Sequence, residues 1–202
     1  MKYDMMKIIS AVEKVGGEID RTPVFLNIVG IRDLSNPNTW NDTCVYFRFN
    51  EKGEIEIREI LEFTTDPGID NLQKPLNPQG CAILKRGYHK DLWQIGLHQG
   101  KYEALRQVSP THVHRDNNKD SKHDLVGDDF GVFGINFHRA SSQKLVPVVG
   151  LYSAGCQVVR NINDFSKFMQ WANQAKKAGQ KAFSYTLLTV EDLNSMEDIK
   201  PE

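Results

Sequence analysis

Short segments with period-two alternation recur along this chain and constrain its fold more than any other feature. Thr43-Cys44-Val45-Tyr46-Phe47-Arg48-Phe49 and the run from Glu54 to Phe63 both read as strands, and the four residues Asn50-Glu51-Lys52-Gly53 between them read as a turn. Such a pair is an antiparallel hairpin with one face turned to a core. Further strands are expected at Val24–Val29, Cys81–Lys85, Trp93–His98, Ala104–Val108, Thr111–Arg115 and Phe183–Val190.

Two segments carry a helical period instead. Met5, Ile8, Ile9 and Val12 fall on one helical face, and Gly16-Gly17 ends that segment. Near the other end, Asn163 is placed to cap a helix running to about Ala178. Phe165, Phe168, Met169, Ala172 and Ala175 form its apolar stripe, and Gly179 follows at the stop. Residues 33–42 and the Pro/Gly-rich interval Asp66–Gly80 read as loops. Many strands with a helix near each end give a β-rich α+β domain. With 202 residues and no internal repeat, the chain is expected to form a single domain over 1–202.

Composition excludes several classes. A formal net charge of −1 with dispersed basic residues gives no pull toward nucleic acid or an anionic membrane surface. No segment approaches the roughly 20 apolar residues that span a bilayer. Asp4 and Lys7 interrupt the first apolar run, so the N-terminus does not read as a signal peptide, and synthesis in the cytoplasm is expected. Three cysteines leave an odd thiol, against a disulfide framework. Cys44 and Cys81 sit in apolar strand patterns and read as packing.

Cys156 differs. It closes the turn Ser153-Ala154-Gly155-Cys156, and His138 lies eighteen positions upstream, beyond apolar segments around Val132, Ile135 and Phe137 and around Leu145, Val146, Val148 and Val149. If both segments are strands, the imidazole can stand beside the thiol, which is the Cys–His arrangement of nucleophilic catalysis. A tight polar turn also exposes the thiol and offers backbone N–H groups to an oxyanion.

His138, a gap, then Ser153, Gly155 and Cys156 resembles the His…Ser/Thr-x-Gly-Cys signature of the L,D-transpeptidases, which remodel peptidoglycan stem peptides. Thr64-Thr65-Asp66-Pro67-Gly68 is similar to the Thr-Pro-x-Gly loop that precedes that family's cleft. The resemblance covers about residues 60–160 and departs where Cys156-Gln157-Val158 replaces the family's Cys-x-Arg. Arg139 and Arg160 are the candidates to replace that arginine. The resemblance implies a β-sandwich or barrel core over about 60–160, flanked by a helix and strands at 1–60 and by a helix and strand at 161–190. It implies catalytic roles for Cys156 (nucleophile), His138 (base), Ser153 (orienting the imidazole) and Gly155 (oxyanion turn). Substrate contacts are expected from His98, Tyr102, Arg139 and Gln157. The substrate would be peptidoglycan or a muropeptide, with no metal or organic cofactor. Action on the wall without an export signal suits a phage lysis protein or an injected effector.

Two other readings stay open. One is a non-catalytic wall-binding or phage structural module with the same fold. The other is a zinc hydrolase, since His112-Val113-His114-Arg115-Asp116 puts two histidines on one strand face. Asp116 to Asp124 spaces oxygen ligands like the start of a calcium loop but has Ser121 and Gly127 where Gly and Glu are needed, so it reads as a solvated loop.

Overall fold

The computed structural model describes residues 2–195. It is α+β and β-rich, and eight strands close into a barrel. In chain order the elements are α1 (Met5–Lys14), β1 (Asn27–Arg32), β2 (Asp42–Phe49), β3 (Ile55–Thr64), α2 (Ile69–Gln73), β4 (Cys81–Leu84), β5 (Gly87–His98) and β6 (Tyr102–Gln107). There follow β7 (Thr111–Asp116), β8 (Asp129–Gly131), β9 (Phe137–Arg139), β10 (Gln157–Val159), α3 (Ile162–Lys177), β11 (Phe183–Thr189) and α4 (Val190–Asn194). The barrel runs β1-β11-β5-β6-β9-β10-β3-β2, while β4, β7 and β8 form a small separate sheet.

The period-two segments become the barrel wall because each strand buries alternate side chains inside it. Tyr46, Phe63, Trp93, Phe137 and Tyr185 fill the interior with Leu105 and Val159. α3 lays its predicted stripe on this cluster: Phe168 stacks on Phe137 at 4.1 Å and meets Tyr46 edge-on at 5.2 Å. Asn161, rather than Asn163, caps it by accepting from the Asn163 N–H. On the outside, α1 and α4 cover Val29, Ile31, Val45 and Leu188. Asp4 caps α1.

The interior is not wholly apolar. Arg32, 1% exposed, pairs with Asp66 at 2.9 Å and donates to the Thr65 hydroxyl at 3.0 Å. Asp42 accepts from the Thr65 N–H at 2.6 Å. Gly30 is required beside this group, since a Cβ there would fall 1.7 Å from the Tyr185 hydroxyl.

Two expectations need correction. Residues 145–149 are not a strand: Val146 and Val149 turn inward against Trp40 and Val158, while Leu145 and Val148 stay exposed. Three-residue spacing of the buried pair is that of a turn. β5 also begins six residues before the expected Trp93, because a bulge at Asp91 (φ 48°) masks the alternation.

Candidate active site

Parallel strands need a crossover of about a dozen residues or more. The segment 140–156 supplies one, so β9 and β10 pair in parallel with Gln157 opposite Phe137 and Val158 opposite His138. Phe137 and Val159 point into the barrel. Alternation then puts His138, Val158 and Cys156 on the outer face, with thiol and imidazole as diagonal neighbours. The long gap between the two residues in sequence is the length of this crossover.

Three devices hold the cysteine turn. The Ser153 hydroxyl donates to the Cys156 carbonyl at 2.9 Å and accepts from the Gly155 N–H at 3.2 Å. The Ser153 carbonyl accepts from the Gly68 N–H at 2.9 Å and from the Asn71 amide at 2.8 Å. The Thr64–Gly68 loop therefore lies against the turn. Gly155 (φ 122°) sits where a Cβ would come within 2.0 Å of the Ala82 carbonyl oxygen in β4.

On the other side, the stretch before β9 has few strand partners and is clasped by side chains. Gln107 accepts from the Phe133 and Ile135 N–H groups at 3.0 and 2.9 Å, and the Trp93 indole donates to the Ile135 carbonyl at 2.8 Å. This brings the Gly134 carbonyl and the Asn136 N–H to the Cys156 sulfur, both at 3.4 Å.

The histidine is equally fixed. His138 Nδ1 lies 2.8 Å from the Arg139 carbonyl, which can only accept, so Nδ1 carries the proton and Nε2 keeps its lone pair. The Tyr102 hydroxyl donates to the same carbonyl at 3.3 Å. His98 stacks on His138 with ring centroids 4.1 Å apart. The Asn136 amide lies 3.4 Å from His98 Nδ1 and accepts from the Gln107 N–H at 2.9 Å.

Charge is held out of the pair. Burial, with His98 and Arg139 nearby, pushes His138 down to about 4. Desolvation pushes the Cys156 thiol up to about 11, against the opposing Asn136 N–H. At neutral pH the Cys156 thiol and the His138 imidazole are therefore both uncharged. Among the described residues the thiol makes no hydrogen bond to an imidazole; its partners are the two backbone groups.

The predicted residues divide clearly. His138, His98, Tyr102 and Arg139 come together, and Cys156 joins them through Asn136, whose N–H reaches its sulfur and whose amide reaches His98. Ser153 is buried and braces the turn rather than touching the imidazole. The Gly155 N–H is taken by Ser153, while among the described residues the Cys156 N–H has no partner. Gln157 is fully buried, accepting from Tyr185 at 2.7 Å and donating to the Thr65 carbonyl at 3.2 Å, so it cannot reach a substrate. Its strand parity sends it into the barrel. Arg160 is held by Glu62 and by the Val146 carbonyl, whereas Arg139 lies 4.0 Å over the Tyr102 ring. Sequence reasoning missed Asn136, although Asn136 and His138 alternate with Ile135 and Phe137 and so share a face.

Cys44 and Cys81 are buried, and Cys156 is the half-exposed cysteine. His112 bonds Asp128 at 2.8 Å and His114 the Gly127 carbonyl at 3.3 Å. Among the described residues no three His, Cys, Asp or Glu side chains group as metal ligands. In the 116–124 loop, Asp116 and Asp120 accept from backbone N–H groups within the loop. No helix among the described residues is long and apolar enough to cross a membrane. No known protein family, curated protein or solved structure matches the chain.

Proposed function

We propose that this protein is a cysteine-dependent acyl-transfer enzyme acting on peptidoglycan stem peptides, as an L,D-transpeptidase or an L,D-endo- or carboxypeptidase. The observation that supports the reading is the parallel β9/β10 register, which pairs His138 with Val158, two residues after Cys156, while His138 Nδ1 is committed to the Arg139 carbonyl. The resemblance of His138, Ser153, Gly155 and Cys156 to the transpeptidase signature supplies the substrate class and the L,D-transpeptidase-like fold.

In this reading the Cys156 S–H proton passes to His138 Nε2 as sulfur bonds to the substrate carbonyl carbon. The Cys156 N–H stabilises the oxyanion. Collapse breaks the carbon–nitrogen bond, the imidazolium protonates the departing amine, and a thioester remains. Water or an acceptor amine then attacks that thioester, giving the proton back through His138. Arg139 and Tyr102 flank the histidine pair on the substrate side.

Incubating purified peptidoglycan with the protein and separating the muropeptides tests this directly. New cleaved or cross-linked species are expected with the wild type and not with Cys156→Ala. An unchanged profile with wild type, or an equal change with the variant, refutes the proposal.

A further inference from the structure

A groove of about 500 Å³ runs between α3 and the ends of β6 and β9, and it meets the histidine pair at Tyr102, whose ring lies 5.5 Å from that of His98. Tyr102 and Arg139 form the end nearest the site, Phe165 and Met169 its buried floor, and Asn173 and Lys177 the far end. Arg139 is half-buried, yet among the described residues it makes no ion pair. Its guanidinium carbon stands 4.0 Å over the Tyr102 ring. Stacking of that kind occupies the face of the guanidinium and leaves its N–H edges for an acceptor in the plane.

The acid of the groove does not serve this purpose: Glu103 accepts from the Asn173 amide at 3.2 Å. Lys101 and Arg106 add positive charge around His98 and are likewise without an acidic partner among the described residues. A chain of net charge −1 thus gathers unpaired cations on one side of its candidate site. Planar guanidinium edges match a carboxylate in two parallel hydrogen bonds.

We propose that this groove receives the carboxylate-bearing arm of a peptide substrate, with Arg139 as its anchor and Lys177 as a second, exposed cation. The inference rests on the reading of Cys156 and His138 as the reacting pair. It assigns the substrate class as a peptide with free carboxylates in place of an amidated one.

The Cys156→Ala protein binds without turnover and is the form to titrate. The probes are a disaccharide-tetrapeptide with free carboxylates and the same compound with those carboxylates amidated, compared by calorimetry at one ionic strength. Amidation should weaken binding about ten-fold or more, the worth of a charge-assisted hydrogen bond. Arg139→Gln should abolish the difference, and Lys177→Gln should reduce it in part. Equal affinities for the two probes, no binding of either, or discrimination that survives Arg139→Gln in a natively folded protein would overturn the proposal. Turnover by the wild type separates the two ideas. Equal turnover of both probes removes the anchor and leaves the Cys156 chemistry, whereas tight free-acid binding without turnover removes the chemistry and leaves the groove.

Discussion

At the scale of single residues, the proposed chemistry starts from a thiol and an imidazole that are both neutral at pH 7. Cys156→Ala and His138→Ala should each lower turnover by at least about 10³-fold, and the double variant should be little worse, because the two act as one unit. Cys44→Ala and Cys81→Ala should keep the chemistry and lose only packing, since both thiols are buried in strands. The acid limb of the pH–rate profile follows from the depressed His138. Its folded value of about 4 lies below the ordinary histidine value, so the base stays unprotonated well below pH 6. Acylation should hold its rate from pH 7 down to pH 5 and fall only toward pH 4. A midpoint near 6.5 would show that His138 is not the base. The same depression, shared by His89 at about 4, ties stability to pH: it is fully present above the unfolded histidine value and is lost as pH falls toward 4.

Among elements, the cysteine turn and the barrel's polar plug make distinct demands. Gly155→Ala places a Cβ against the Ala82 carbonyl at a φ that L-residues avoid. It should cost about 1–3 kcal/mol in urea unfolding and lower activity through the displaced thiol. Arg32→Met leaves Asp66 as a buried uncompensated charge and should cost about 3–5 kcal/mol, whereas Arg32→Met with Asp66→Leu should recover most of it. Most elements were legible from the sequence. α1 and α3 announce themselves because each buries one face over two or more turns, and β2 and β3 because each is long enough for its alternating side chains to show. β9 and β10 are three residues each, too short for a period to establish itself. The 145–149 stretch imitates a strand because Val146 and Val149 cover Val158 of β10 from outside while its backbone turns.

For the whole molecule, closure was the part the sequence could not show. Barrel order depends on β11 inserting between β1 and β5, a long-range pairing that no local pattern encodes. Closure also explains the fate of Gln157: its neighbour Cys156 faces out, so Gln157 faces into the barrel and is consumed by Tyr185 and Thr65. The candidate site was legible where chemistry and spacing coincide, at His138 and Cys156. It was hidden where backbone groups do the holding, at the Arg139 carbonyl, the Gly134 carbonyl and the Asn136 N–H. The measurement closest to the central claim is the mass of the protein after incubation with a carbapenem, an acyl donor for thiol transpeptidases, in the presence of EDTA. The account predicts one covalent adduct that maps to the peptide containing Cys156 and disappears in Cys156→Ala. An adduct on Cys44 or Cys81, or none with the wild type while turnover is lost on chelation and restored by zinc, would contradict it.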